Sequence, residues 1–70
     1  QNDRLDLLRR AIDRLPEKLR TPLLLFCIEG HSQKDTADIL ETTPKTIELR
    51  VYRAKEKLRS ILSSWQEIES

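Results

Sequence analysis

Apolar residues recur along this chain at helical spacing, and the places where the spacing breaks mark the ends of the elements. Leu5, Leu8, Ile12 and Leu15 stand at i, i+3, i+7 and i+10, one face of a helix expected over residues 3–14. Pro16 interrupts that pattern and suits the first position of a second helix over 16–29. The second half of that helix reads L-L-L-F-C-I from Leu23 to Ile28, apolar nearly all round, so it is expected to be central and touched on several sides. Pro22 removes one backbone donor inside it, which predicts a short first turn or a slight kink, and Gly30 supplies the left-handed residue that ends it. Ser32, with Asp35 three residues on, makes an approximate capping box for a third helix over 33–40, with Ala37, Ile39 and Leu40 facing inward. After the short linker Glu41-Thr42, Thr43 and Pro44 restart the chain as N-cap and first helical residue of a fourth helix over 44–65. β-branched residues never alternate over a strand length, so the class is all-α: one four-helix domain over residues 1–70 with a long last helix.

Two helices joined by so short a turn must cross steeply, which is helix-turn-helix geometry. The fourth helix divides cleanly by face. With Ile47 as origin and about 100° per residue, Val51, Ala54 and Leu58 fall close to it and form the buried side. Lys45, Glu48, Leu49, Tyr52, Arg53, Glu56 and Arg59 take the opposite side, where the apolar Leu49 and amphipathic Tyr52 suggest a contact surface. The inward stripe continues through Ile61, Leu62, Trp65 and Ile68, so the helix either folds back on the first helix or offers an apolar strip to another protein.

Seventy residues suffice for one small core, since folding at this size buries only roughly 60% of the surface the unfolded chain exposes. The chain begins at Gln1, as a domain cut from a longer protein would. No apolar run approaches the roughly 20 residues that span a bilayer, and the expectation is a soluble cytoplasmic domain without membrane insertion. Lys and Arg total 13 against 12 Asp and Glu, but the excess is local: residues 44–59 hold six basic and two acidic side chains. A basic stripe on a neutral domain is an electrostatic footprint for phosphate. The lone Cys27 reads as a small buried hydrophobe, and His31 as structural or solvent-facing. One His, one Cys and one Gly cannot assemble a nucleophile with its base, a metal cluster or a phosphate loop. No enzyme, metal, cofactor or small-molecule substrate is expected.

The opening L-P-E-K-L-R, the tract L-L-L-x-x-x-E-G-H-S, the A-D-I-L of the third helix and the run T-I-x-x-R-V-Y-R-A-K-E-K-L-R occur in one gapless order from Ala11 to Leu62. Together they resemble region 4, the C-terminal domain of bacterial sigma factors, most closely the extracytoplasmic-function group. The resemblance implies recognition of the minus-35 element of promoter DNA, docking on the β flap of RNA polymerase core, and masking by an anti-sigma factor, with the isolated domain monomeric. Carried over by position, its DNA contacts are Gln33, Lys34, Lys45, Thr46, Glu48, Leu49, Tyr52 and Arg53, five of which the wheel above selects independently.

Three positions depart from the family pattern. Glu48 stands where Lys or Arg is usual, Leu49 where a small polar residue is usual, and Glu41 where the turn normally has Gly. The first two imply a promoter sequence other than the family's commonest one. The third implies that the chain avoids the left-handed conformation at Glu41 or absorbs about 1 kcal/mol of strain there. Two other readings stay open: a sigma-like protein-interaction module bound by an anti-sigma regulator without sequence-specific DNA binding, and the DNA-binding domain of a LuxR-type response regulator, which shares the four-helix plan.

Overall fold

A computed structural model describes residues 3–69, with side chains placed from Arg4 to Trp65; Gln1, Asn2, Ser70 and the side chain of Ile68 lie outside the described residues. Four helices follow in order: α1 (Asp3–Asp13), α2 (Glu17–Leu23, continued by a π-helical segment Leu24–Ile28), α3 (Gln33–Ile39) and α4 (Pro44–Glu69). The all-α expectation is borne out, and no strand occurs among the described residues.

The core is one cluster of small and branched side chains: Ile12 and Leu15 from α1 and its end, Leu23 from α2, Ala37 from α3, and Ile47, Val51 and Ala54 from α4. Leu8, Leu19, Leu24, Phe26, Leu40, Leu58 and Ile61 close over it. All of α1, α2 and α3 pack on α4, so the inward stripe read from Ile47, Val51, Ala54 and Leu58 is the surface the other helices share. The stripe does continue: Ile61, Leu62 and Trp65 are half-buried, and Arg14 stacks its guanidinium 5.7 Å from the Trp65 ring. The extension therefore folds back on the end of α1, and α4 runs to Glu69, four residues past its expected end.

Five expectations are corrected. Pro16 is the N-cap of α2 rather than its first helical residue, because its ψ of 149° is extended while its carbonyl already accepts from the amides of Leu19 and Arg20. The second helix is not a uniform α-helix to Glu29. Pro22 withholds one amide, and the ladder beyond it closes on π-type bonds such as Glu29 N to Leu24 O at 2.9 Å. That wider register turns only part of the apolar run inward: Leu24 and Phe26 cover the core, whereas Cys27 and Ile28 are exposed, so Cys27 is not a buried hydrophobe. Gly30, at φ 82°, ends the segment as expected. Leu5, on the first turn of α1, is exposed beyond the core.

In α3 the inward residues are Thr36, Ala37 and Leu40, not Ile39, which is 51% exposed. A helix of seven residues offers one stripe, and Ile39 sits roughly 110° from its centre. Thr36 is fully buried and its hydroxyl has no hydrogen-bond partner. The helix ends on a residue with φ 57°, Glu41, whose amide bonds to Asp38 O while Thr42 N bonds to Ala37 O at 2.9 Å. Those two bonds are the Schellman pattern, with glutamate in the place glycine normally takes. Of the two alternatives for Glu41, the chain adopts the strained one.

The α1 terminus is closed from outside. Arg20 of α2 donates through Nη1 to the carbonyls of Asp13 at 3.3 Å and Leu15 at 3.4 Å, groups that a helix end leaves unpaired.

Two stability changes follow. Glu41→Gly should raise unfolding stability by about 1 kcal/mol, because glycine adopts the left-handed conformation without a Cβ penalty. Thr36→Val keeps shape and removes the orphan hydroxyl, with an expected gain of about 1 kcal/mol. Denaturant unfolding of the two variants beside wild type checks both, and a loss of stability in either contradicts its premise.

Candidate nucleic-acid interface

The outward side of α3 and α4 is built by two side-chain caps. Ser32 Oγ accepts from the Asp35 amide at 3.0 Å and starts α3. Thr43 Oγ1 accepts from the Thr46 amide at 3.2 Å, and Pro44 follows as first helical residue with no amide to leave unpaired. Between the caps, the left-handed Glu41 reverses the chain within a few residues, and α4 packs against α3.

All eight sequence-selected residues lie on these two helices. From α3, Gln33 is half-buried and Lys34 exposed. From the first three turns of α4, Lys45, Glu48, Leu49, Tyr52 and Arg53 are exposed and Thr46 is half-buried. The five residues picked by the helical wheel are the exposed ones among the six on α4. Thr46 is the least free of the set: its hydroxyl lies 2.9 Å from Thr43 Oγ1, so it belongs to the cap as much as to the surface.

The large side chains of this face are held in different ways. Tyr52 is 60% exposed, and its hydroxyl donates to Glu56 Oε2 at 3.3 Å, which spends the phenol's donor within the helix and leaves the ring face open. Leu49 is 47% exposed beside it. Among the described residues, none of Lys45, Glu48 or Arg53 takes part in a salt bridge; His31 Nε2 lies 3.4 Å from Glu29 Oε1, before the N-cap of α3. The cations are thus available to an external anion.

Sequence reasoning passed over Arg50. It is half-buried on the flank of α4 and, with Glu17, Lys18, Thr21 and Pro22 of α2 and Leu40 after α3, lines a shallow cleft of 240 Å³. Its spacing to Arg53 and Lys57, i, i+3 and i+7, puts three cations on that flank and was the available signal. Among the described residues no group of His, Cys, Asp or Glu is arranged to hold a metal, and no helix is long and apolar enough to cross a membrane.

Comparison with known proteins locates this arrangement. The family model described as Sigma-70, region 4 matches residues 5–58. The ECF RNA polymerase sigma factor EcfG of Rhodopseudomonas palustris (strain TIE-1) is 41% identical over 54 residues, covering 77% of this chain and 30% of that protein. The RNA polymerase sigma-H factor of Pseudomonas aeruginosa is 38% identical over 53 residues, 76% of this chain and 28% of that protein. The ECF RNA polymerase sigma-E factor of Haemophilus influenzae is 37% identical over 50 residues, 71% of this chain and 26% of that protein. The chain spans less than a third of the length of these relatives.

Because the cap presents the whole outward face, Thr43→Ala should cost about 1 kcal/mol and fray the first turn of α4. Hydrogen exchange at the Thr46 amide should accelerate well before that of core amides such as Val51; equal exchange at both would show that the cap holds nothing.

Proposed function

This chain belongs to the sigma-70 region 4 family, and from that premise we propose that it recognises the minus-35 element of promoter DNA as the C-terminal domain of an extracytoplasmic-function sigma factor. The observation that carries the reading is the outward face of α4, where Lys45, Leu49, Tyr52 and Arg53 project without intramolecular salt bridges just after a capped helix start. A helix presented this way by a preceding helix and tight turn inserts its first turns in the major groove. Lys45 approaches the backbone, Arg53 forks onto a guanine edge or clamps a phosphate, and Tyr52 packs its open ring on a sugar or thymine methyl. Gln33 and Lys34 reach phosphates from α3. The whole role is positioning and recognition, with no reaction catalysed by this domain.

RNA polymerase core is the partner that makes such binding effective, because a face of eight residues holds duplex DNA weakly until a second attachment raises its local concentration. The β flap is the docking point we assign, and an anti-sigma factor the inhibitor that masks the domain. Exposed Leu5, Ile28 and Ile39, which the chain's own core leaves uncovered, supply apolar surface for these protein contacts. In the α4 tail, Ile61, Leu62 and Trp65 are half-buried, with Ile61 packed on the core and Trp65 under Arg14.

In transcription from a cognate promoter with the full-length protein and polymerase core, Arg53→Ala should reduce initiation roughly tenfold. Lys45→Ala should weaken binding to all sequences and lower the salt slope by about one unit. Unchanged transcription in both variants would remove the assigned face.

A further inference from the structure

The outward face of α4 carries one group that a surface made only to hold phosphate would not contain. Glu48 is exposed between Lys45 and Tyr52, and among the described residues it makes no salt bridge or hydrogen bond. The other carboxylate of the face, Glu56, is engaged by the Tyr52 hydroxyl. Neither Lys45, three residues before, nor Arg53, five residues after, neutralises Glu48. Beside it, Leu49 is uncovered by any part of the chain to nearly half its surface. Two adjacent positions therefore present a free acceptor and a bare hydrocarbon, both useless to phosphate.

The base edges of the major groove distinguish what such a pair can accept. A carboxylate only accepts hydrogen bonds, and the groove offers donors at the N4 amine of cytosine and the N6 amine of adenine. Adenine sets its amine beside N7, an acceptor that repels the second carboxylate oxygen; cytosine sets its amine beside a C–H edge. Opposite guanine or thymine, Glu48 would face carbonyl oxygens with its charge desolvated and unpaired. Leu49 makes no hydrogen bond, and the one hydrocarbon group that the groove displays is the thymine methyl.

Resting on the promoter-recognition reading above, we propose that Glu48 and Leu49 are specificity-determining residues: Glu48 selects a cytosine through its N4 amine, and Leu49 selects a thymine methyl at a neighbouring base pair. Glu48 works as much by exclusion as by attraction. It weakens binding to every sequence through repulsion from phosphate, and that loss is recovered only where the amine is in place, so discrimination rises while overall affinity falls.

The test is selection of bound duplexes from a library randomised across the upstream promoter element, using the full-length protein assembled with RNA polymerase core. Wild type is compared with Glu48→Gln, Glu48→Ala and Leu49→Ala, all at exposed positions away from the core. Wild type should enrich cytosine at one position and thymine beside it. Glu48→Gln should shift the first preference to adenine by roughly tenfold, since an amide pairs with N6 and N7 together. Glu48→Ala should erase preference there alone while strengthening binding to random duplex. Leu49→Ala should erase the thymine preference and spare the cytosine. An enriched motif that all three variants leave unaltered overturns this assignment while promoter recognition stands. Failure of wild type to enrich any upstream motif removes promoter recognition and this assignment with it.

Discussion

The packing of α1, α2 and α3 against the single stripe of Ile47, Val51 and Ala54 on α4 is the constraint from which the rest of the molecule follows. In a chain this short there is one core, and three of its seven buried members belong to one helix. Ala54 and Ala37 keep the helices close, while Ile47, Val51, Ile12, Leu15 and Leu23 fill the space between them. Because that stripe covers only one side of α4, the opposite side is left facing out along the same turns. The residues that hold the fold and those proposed to read DNA thus alternate on one helix, and the rotation of α4 about its axis is set by burial rather than by any contact on the outer side.

Local chemistry sets where α4 begins. Thr43 and Pro44 start it, and the two-bond pattern ending on Glu41 and Thr42 closes α3 just before it. Such a closure demands a left-handed residue, and the demand is met by glutamate at φ 57° although a Cβ disfavours it there. Core packing on both sides of the turn is what holds the conformation in place. Thr36, a buried hydroxyl with no partner, is a second local cost, carried by α3. Glu41 lies in the turn between the two helices that carry the candidate site, and Thr36 lies within the first of them.

The elements of this fold were legible where periodicity and caps agree. The stripe on α4 follows from the spacing of Ile47, Val51, Ala54 and Leu58, and the helix starts follow from Ser32 and the Thr43-Pro44 step. Where several apolar residues adjoin, spacing loses its power. In the run Leu23 to Ile28 every rotation looks buried, so nothing in the pattern reveals that the ladder widens after Pro22 and turns Cys27 and Ile28 outward. In α3, hydrophobicity favoured Ile39 over Thr36, whereas the packing of this short helix buries the polar residue and leaves Ile39 exposed. Arg20 closing the end of α1 is a contact between elements that no local pattern encodes. Of the candidate site, the five outward residues of α4 were recoverable from the wheel. Thr46 shared with the cap and the ring of Tyr52 steadied by Glu56 required coordinates, whereas the flank cation Arg50 had a signal in its spacing to Arg53 and Lys57.

The unbroken length of α4 has a mechanical consequence. Its 26 residues join the end that follows the tight turn to the end where Arg14 lies over Trp65. A helix of this kind behaves as a stiff shaft, so twist applied at one extremity arrives at the other almost undiminished. The guanidinium–indole contact and the threonine-capped start are thus two fixed points on one rod, held apart at a set distance by the helix itself.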